Sequence, residues 1–462
     1  MNEKSTDKSL YVKLSSKTKL YYSGIETGSQ LCWTMITSFL MIYLTDTFLI
    51  PIELVATMLF VCKLWDAVND PLVGIVADRT RSKWGRYRPW IIFVAAPMYI
   101  LAVLLFWPHP QWSLTMKMIY VYAYALYLLL VLAYTFIEIC NGSLVSVVTQ
   151  DPHERGSMAS WRNVASFFAG SVAVIAVSLY EPSIDSWKSG LGYFVIISAF
   201  AIIGIPQIIL GAKEQQEIVP PSDRIKVPLK ELLKWSLKNK ELIKVVLMFF
   251  FIGFAWYGIL NIEYYWFVYV LKDGAFYALC CVISLIPTAF GGLFATRLAN
   301  RFKDKSKSLA VCAAFFSIIN LFSFFFFSNT LNKMLIVLSM SLGTFGACAA
   351  YCMLYGLVPD TVEYGELISG GIRMDGFVNT VASFCSKIGI SLGAAICGWI
   401  LGSSGYVPNL ETQMQSTITA LNFLRWLMPS IAGFILVAIA LTYKINYTRF
   451  DQIVDALQRE SD

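Results

Sequence analysis

Charged side chains are scarce in this sequence. Asp, Glu, Lys and Arg make up 14% of its 462 residues and hydrophobic residues 57%, whereas a soluble globular protein carries about 25% charged residues. So few charges cannot cover the surface of a water-soluble domain, which excludes an ordinary soluble enzyme. The 36 basic and 30 acidic residues leave a net charge of only +6, and the excess lies in predicted loops, so no nucleic-acid partner is expected. The composition predicts an integral membrane protein.

Histidine is almost absent, and the cysteines are not spaced as ligands. The two histidines, His109 and His153, lie in predicted loops, so no histidine-based catalytic or metal centre is expected. Nearly all of the ten cysteines lie within apolar runs, and we interpret them as small buried hydrophobic residues. The polar, basic N-terminus has no apolar core, so we expect no cleaved signal peptide. Neither enzymatic activity nor a cofactor is predicted.

Long apolar runs dominate the rest of the chain. A membrane span needs about 20 mainly apolar residues, and the sequence offers six such segments on each side of a polar stretch. It therefore predicts an N-terminal six-helix bundle at 1–212, a cytoplasmic linker at 213–241, and a C-terminal six-helix bundle with a short tail at 242–462. Lys and Arg cluster in the N-terminus, the linker and two loops, so both termini are predicted to face the cytoplasm.

A repeated pattern connects the two halves. Gly74-Ile-Val-Ala-Asp78-Arg79 follows the second span and leads into a basic loop that ends at Arg88. Gly292-Leu-Phe-Ala-Thr296-Arg297 follows the eighth span in the same way. Repeats at matching positions of two halves are typical of alternating-access transporters. We therefore predict gating roles for the residues of the first copy: Gly74, Asp78, Arg79 and Arg88.

Two carboxylates lie inside the second span. Asp66 and Asp70 are four residues apart, so they share one helix face, with Asn69 beside them. Ionisable groups in the hydrocarbon core are costly unless they face a cavity or a partner, and two close carboxylates repel each other unless a cation or proton lies between them. We predict a cation site of oxygen ligands here, as a hard cation such as Na⁺ prefers. A salt bridge from Lys63 to Asp66 is the structural alternative.

Other polar residues of the N-terminal half predict a substrate cavity. Thr135 and Glu138 are three residues apart in the fourth span and share a face. Glu26 and Gln30 repeat the four-residue spacing in the first span. Glu26 lies close to the end of that span, so the alternative is that its side chain is exposed at the membrane interface. Arg162 begins the fifth span and can pair with these acids, unless it extends to the membrane surface.

The C-terminal half contributes further candidates. Lys387 lies well inside the eleventh span, where an ammonium can donate hydrogen bonds to a hydroxyl-rich solute. Tyr351 in the tenth span is predicted to bind substrate as well, and Glu263 among aromatic residues is a possible site residue. The tenth span is followed by an acidic cluster, for which we predict a gate of ion pairs; a solvated acidic turn is the alternative. Its members are Asp360, Glu363 and Glu366.

Two long motifs carry a family resemblance. KLWDAVNDPLVG (63–74) followed by DRTRSKWGRYRPW (78–90) resembles the signature of the glycoside–pentoside–hexuronide:cation symporters, the branch of the major facilitator superfamily that includes melibiose permease. PDTVEYGE (359–366) and GIRMDGFVNTVASFCSKIG (371–389) resemble the C-terminal half of the same family. The resemblance implies an all-α fold of 12 transmembrane helices and symport of a sugar or glycoside with Na⁺ or H⁺. It also implies a functional monomer in the cell membrane.

The resemblance also assigns roles and marks departures. The family's cation site resembles Asp66, Asp70 and Thr135, with Glu138 in place of an aspartate, and its sugar site includes residues that match Arg162 and Lys387. Melibiose permease has a sugar-binding aspartate where this chain has Gln30, and a tryptophan where it has Gly142. These departures argue against a melibiose-like galactoside as the substrate.

Two other functions remain open on the sequence alone. A Na⁺-coupled lysolipid carrier on the same fold would need a lateral apolar path for its substrate. A membrane nutrient sensor would bind a solute without transporting it. Competition by free sugars separates the first alternative from a sugar symporter, and accumulation in vesicles separates the second.

We predict that Asp70→Asn abolishes gradient-driven accumulation of substrate, because it removes one of the two carboxylates that neutralise the cation. Uptake into proteoliposomes under an imposed Na⁺ or H⁺ gradient measures this. Unchanged concentrative uptake would refute the cation role of Asp70.

Overall fold

The computed structural model describes residues 13–108, 115–149, 152–180, 190–218, 229–257, 260–327, 330–371 and 375–461. This part of the chain is helical, with one isolated β-bridge between Ser82 and Gly85. It forms two compact units, Met1–Pro51 with Val61–Asp223 (unit 1) and Ile52–Phe60 with Arg224–Asp462 (unit 2). The sequence did not predict that Ile52–Phe60 groups with unit 2.

The helices of the first half begin and end as follows. They are α1 (Ser16–Ile42), α2 (Ile52–Arg79), α3 (Arg88–Leu105), α4 (Met116–Val148), α5 (Pro152–Tyr180) and α6 (Leu191–Glu214). The side chain of Ser15 caps α1 by accepting a hydrogen bond from the Thr18 N–H at 3.1 Å. One π-helical turn, Tyr43–Thr47, extends α1.

The helices of the second half are shorter at several points because π-helical turns interrupt them. They are α7 (Leu229–Lys238), α8 (Lys240–Ile252), α9 (Leu260–Tyr265), α10 (Ala275–Phe302), α11 (Lys305–Phe327), α12 (Lys333–Ser369), α13 (Asp375–Ser403), α14 (Gln415–Asn422), α15 (Met428–Leu441) and α16 (Tyr447–Ser461). The π-helical turns are Gly253–Tyr257, Trp266–Val270 and Phe423–Leu427. Such turns are frequent where a helix carries a functional or specially placed side chain.

Ten helical segments of the described chain are long and apolar enough to cross a membrane. The helices α1 and α2 are also long, 27 and 28 residues, but are not among these ten. They carry several of the charged and polar residues predicted for the site, which lower their mean hydropathy. The multi-pass all-α membrane protein is confirmed, whereas the count of twelve spans and the side on which the termini lie stay predictions.

Glycines bring α1 and α6 into backbone contact. A Cβ on Gly28 would lie 2.7 Å from the carbonyl oxygen of Gly204, and one on Gly211 would lie 2.5 Å from that of Tyr21. Gly24 and Gly28 are four residues apart on α1, the spacing at which small residues let membrane helices approach closely. Glu26 lies between these two glycines, so the contact between α1 and α6 fixes the position of its side chain along the helix axis.

Gly28→Ala should therefore destabilise the protein. The added methyl group has to push α1 and α6 apart, and overpacking of this kind costs about 1–3 kcal/mol. Thermal unfolding of the purified protein, compared with Gly74→Ala, measures the effect; a Cβ on Gly74 would have no atom within 4 Å. Equal melting temperatures for the two variants would contradict the close contact.

Candidate functional site

A buried arginine connects three helices of unit 1. The Nε atom of Arg162 on α5 lies 2.7 Å from Oε2 of Glu26 on α1, and its Nη2 atom lies 2.7 Å from Oε1 of Glu138 on α4. One guanidinium can bridge two carboxylates because its donors form a rigid planar fork. The side chains of Glu26, Arg162 and Glu138 are 4%, 24% and 36% exposed. This network therefore has a buried end at Glu26 and an end open to solvent at Glu138. Glu26 is not exposed at the interface, and Arg162 pairs with the two acids instead of extending to the membrane surface.

Polar neighbours complete the network. Nδ2 of Asn141 donates to Oε2 of Glu26 at 3.0 Å, and Nε2 of Gln30 donates to its Oε1 at 3.2 Å. The hydroxyl of Tyr134 donates to Oε2 of Glu138 at 2.6 Å. The sequence analysis did not assign roles to Tyr134 and Asn141, although they lie four residues before and three after Glu138, where a helix places neighbours.

An aromatic pair forms a flat surface beside the network. The rings of Trp33 and Tyr134 stack at 3.9 Å with an interplanar angle of 8°. The ammonium of Lys63 lies 3.9 Å from the centre of the Trp33 ring, a cation–π contact. A Cβ on Gly142 would lie 3.5 Å from Nη1 of Arg162, so the glycine leaves space next to the guanidinium.

The predicted cation ligands lie one helical turn from this network. The hydroxyl of Thr135 donates to Oδ1 of Asp66 at 2.8 Å, and Nζ of Lys63 lies 3.5 Å from Oδ2. Asp66, Asn69 and Thr135 are at most 4% exposed, and Asp70 is half-buried on the next turn of α2. The contact between Lys63 and Asp66 is thus present together with the cluster of oxygen atoms.

The side chains around Asp66 supply carboxylate, amide and hydroxyl oxygens. Within the described residues, no group of three or more His, Cys, Asp or Glu side chains is placed to hold a metal ion. All ten cysteines are free, and seven of them are buried. Two carboxylates with neutral amide and hydroxyl oxygens, as at Asp66 and Asp70, match the weakly bound hard cations.

The chain is similar to proteins of a known transport family. A family model described as MFS/sugar transport protein matches residues 21–449. The chain belongs to this family. It is 28% identical to the inner membrane symporter YicJ of Escherichia coli K12, with 93% of this chain and 92% of that protein covered. It is also 28% identical to the glucuronide carrier protein homolog of the same strain, with 96% and 95% covered.

Solved structures show the same fold. A crystal structure of a D-xylose-proton symporter superposes with a TM-score of 0.65, covering 94% of this chain and 99% of that one, at 14% identity. The resemblance to glycoside–pentoside–hexuronide:cation symporters of the major facilitator superfamily is confirmed, and with it the placement in a cell membrane and the absence of an enzyme fold.

The remaining predicted binding residues of this family member belong to unit 2. Lys387 is half-buried on α13. Tyr351 on α12 is half-buried, with its hydroxyl 3.2 Å from that of Tyr355. Their role in substrate binding stays a prediction.

Glu263, a possible site residue, belongs to a separate ion pair within unit 2. Its Oε1 atom lies 2.5 Å from Nη2 of Arg425, and the Tyr277 hydroxyl donates to its Oε2 at 3.2 Å. The Glu263 and Arg425 side chains are 10% and 5% exposed, so this is a closed ion pair that holds α9 to the π-helical turn after α14. Mid-span position alone did not distinguish a ligand-binding acid from a structural one.

The acidic cluster lies on a helix and not on a turn. The helix α12 continues to Ser369 and carries Asp360, which is 2% exposed. Nζ of Lys305 lies 2.7 Å from Oδ1 of Asp360 and donates to the Gly356 carbonyl at 3.0 Å. Glu363 and Glu366 are half-buried further along. Asp360 thus pairs with a residue of the basic loop, within unit 2; a gating role for all three acids stays a prediction.

The predicted gating residues of unit 1 surround one loop. The Tyr87 hydroxyl donates to Oδ1 of Asp78 at 2.5 Å. Burial is the main reason that the pKa of Tyr87 lies above its ordinary value, and this hydrogen bond raises it further. Arg88 donates from Nε and Nη2 to the carbonyls of Ala212 and Lys213 at the end of α6, at 2.9 and 2.7 Å. A Cβ on Gly74 would meet no atom within 4 Å, and Arg79 is exposed.

A residue that the sequence analysis missed anchors this loop. The carboxylate of Glu217 accepts hydrogen bonds from the backbone N–H groups of Arg86, Tyr87 and Arg88, at 2.8, 2.9 and 3.1 Å. Gly85 has φ +103°, and a Cβ there would lie 2.5 Å from the Glu217 side chain. The glycine is therefore required for the close approach.

Glu217→Ala should loosen the loop between α2 and α3, since three hydrogen bonds to a charged group, each worth ~1.5–3 kcal/mol, are lost. Limited proteolysis with trypsin, which cuts after Arg86, measures this, and we expect cleavage at least tenfold faster. Glu214→Ala, which removes an exposed acid three residues earlier, is the matched control. Equal cleavage rates would show that Glu217 does not hold the loop.

Proposed function

We propose that this protein is a secondary active transporter that takes up a neutral sugar or glycoside together with Na⁺ or H⁺ by alternating access. The observation that carries the proposal is the solvent-open ion-pair network of Glu26, Arg162 and Glu138, one helical turn from Asp66 and Thr135, in a chain of the sugar transport family. The relatives named as a symporter and a carrier homolog support the same activity.

The cation would bind at Asp66 and Asp70, with Asn69 and Thr135 as further ligands. The Lys63 ammonium lies 3.5 Å from the Asp66 carboxylate, so it competes with the incoming cation for that carboxylate. A cation that enters weakens the contact of Lys63 with Asp66. Lys63 also lies against Trp33, whose ring stacks on Tyr134 beside Glu138. This path couples the two sites, and the coupling is reciprocal: bound substrate raises the affinity for the cation by the same factor.

The energy of coupling suffices for nutrient uptake. One positive charge that moves through about −100 mV releases ~2.3 kcal/mol, and this free energy supports an accumulation of about fifty-fold. The empty carrier and the carrier with both cation and substrate change conformation. The carrier with the cation alone should not, because the cation would then cross the membrane without substrate.

The charge of the network favours a neutral substrate. Two ionised carboxylates and one guanidinium give the network of Glu26, Arg162 and Glu138 a net charge of −1, so a hexuronide carboxylate would be repelled. The partly exposed Glu138 and Arg162 offer an acceptor and donors to sugar hydroxyls, and the rings of Trp33 and Tyr134 offer a flat apolar contact. This departs from the relative named for glucuronide. Lys387 and Tyr351 stay the predicted substrate-binding residues of unit 2.

The two alternatives have less support. The relatives are named as a symporter and a carrier homolog, which favours transport over sensing. A lysolipid would place its chain against the network, whose charged side chains suit hydroxyl groups better than methylenes. We further propose that a single chain is the functional unit.

A ligand-stability screen tests the proposal. Purified protein is heated with neutral glycosides and pentosides or with hexuronides, with and without Na⁺, at two pH values. We expect stabilisation by a neutral sugar that increases when the coupling cation is present. Stabilisation by uronides alone would contradict the preference for neutral sugars, and stabilisation by lysolipid but no sugar would contradict the whole proposal.

Arg162→Lys should weaken substrate binding in this screen by at least about tenfold, since one ammonium cannot replace the two-sided fork. The variant keeps the positive charge that the buried Glu26 requires, so the protein should still fold. Lys387→Ala is expected to weaken binding as well, with membrane insertion unchanged. Normal sugar binding by both variants would show that the proposed pocket is wrong.

Lys63→Gln should lower the cation concentration that gives half-maximal substrate binding. A unit charge about 4 Å away is worth ~1–4 kcal/mol, so a shift of about tenfold is expected. The titration is done with Na⁺ and with H⁺, and Lys272→Gln, which removes an exposed lysine of unit 2, is the control. A higher cation requirement in Lys63→Gln would mean that Lys63 supports the site and does not compete for it.

A further inference from the structure

A groove runs along the back of α1 in unit 1, between α5 and α6. Its volume is about 670 Å³, within the range of about 300–1,000 Å³ that is usual for ligand sites. Its wall is mainly apolar, with a lysine at one end and one amide. The residues that define it are Lys17, Tyr21, Gly24, Trp161, Phe168 and Gln207.

The groove is separate from the ion-pair network. Successive residues of an α-helix are turned by about 100°, so Gly24 in the groove lies on the opposite side of α1 from Glu26, whereas Ser23, which also lines the groove, lies one turn before Glu26. None of the ionisable residues of the network or of the cation site lines the groove. An occupant would therefore contact the backs of the two helices, α1 and α5, that carry Glu26 and Arg162.

The walls of the groove continue into a surface suited to hydrocarbon. Val164 and Phe168 on α5 are 70% and 63% exposed, and Leu20 on α1 and Leu210 on α6 are 59% and 51% exposed. In a protein that spans a membrane, large apolar side chains exposed on this scale face acyl chains. The apolar part of the groove thus fits an acyl chain.

The polar groups of the groove require more than a hydrocarbon occupant. Oε1 of Gln207 is buried and accepts no hydrogen bond within the described residues. A purely apolar occupant would leave this oxygen without a hydrogen bond, which is unfavourable for a buried polar atom. Lys17 is exposed and forms no salt bridge within the same residues, whereas nearby Lys19 pairs with Glu154 at 2.8 Å. Lys17 lies seven residues from Gly24, about 10 Å along the helix, comparable with the depth from a lipid headgroup to its acyl chains.

We propose that this groove binds a phospholipid with an anionic headgroup. The phosphate pairs with Lys17, the polar backbone of the lipid lies at the level of Gln207, and one acyl chain packs along Trp161 and Phe168. A bound lipid would support α1 and α5 from behind. The site is independent of the proposed transport activity, since it shares no side chain with the network or the cation site.

Native mass spectrometry of the full chain tests the site. Detergent-purified protein is titrated with palmitoyl-oleoyl phosphatidylglycerol and, in parallel, with the phosphatidylcholine of the same acyl chains. We expect tighter retention of phosphatidylglycerol. Lys17→Gln should weaken it about fivefold, the factor that corresponds to ~1 kcal/mol per lysine near a lipid surface.

Two further variants complete the series. Gly24→Leu fills the groove, because a Cβ on Gly24 has only an ordinary contact, 3.6 Å from the Gln207 carbonyl oxygen, and it should abolish specific retention. Lys117→Gln removes an exposed lysine at the opposite end of unit 1 and should leave retention unchanged. Equal retention of the two lipids, or equal loss in Lys17→Gln and Lys117→Gln, would overturn the proposal.

A measurement on a conservative variant covers the case in which Gly24→Leu does not fold. Phosphatidylglycerol with brominated acyl chains quenches tryptophan fluorescence on contact. We expect the quenching amplitude at low lipid ratios to fall in Trp161→Phe relative to the unchanged protein, because the quenched ring lines the groove. Identical amplitudes would place the lipid elsewhere and overturn the proposal.

Discussion

A charge inside a helical membrane bundle has to be matched within a few ångströms, and in unit 1 one guanidinium matches two carboxylates. Arg162 on α5 holds Glu26 on α1 and Glu138 on α4 at 2.7 Å each. Loss of one partner would leave a buried charge without compensation, which costs about 3–5 kcal/mol. The three helices are therefore fixed together at the point where they also present donors and acceptors to solvent.

The two functional regions of unit 1 are joined by short, specific contacts. Thr135 and Glu138 are neighbours on α4, one bonded to Asp66 and the other to Arg162. The stacked pair of Trp33 and Tyr134 provides a second route, with Lys63 at one side of it. A change of charge at Asp66 thus has two physical connections to the ion-pair network, and neither needs a long-range rearrangement.

The residue pairs that share a face of one helix could be predicted from their spacing in the sequence. The contacts between different helices could not, because they depend on packing. The three-residue spacing of Thr135 and Glu138 is enough to predict a shared face, and family motifs add Arg162. The sequence could suggest that Arg162 pairs with an acid, but not that one guanidinium binds Glu26 and Glu138 at once, because this depends on how α1, α4 and α5 pack. Spacing also does not reveal that Glu263 pairs with Arg425, which comes from a π-helical turn far along the chain.

The anchoring of the α2–α3 loop by Glu217 extends unit 1 beyond its last helix. The N–H of Ile218 donates to the Val147 carbonyl at 2.9 Å, next to the Glu217 carboxylate that holds three backbone groups of the loop. A truncation, fusion junction or split-gene fragment that stops at Glu214, where α6 ends, would separate the loop from its anchor. Engineering of this transporter into pieces should keep the chain intact through Ile218.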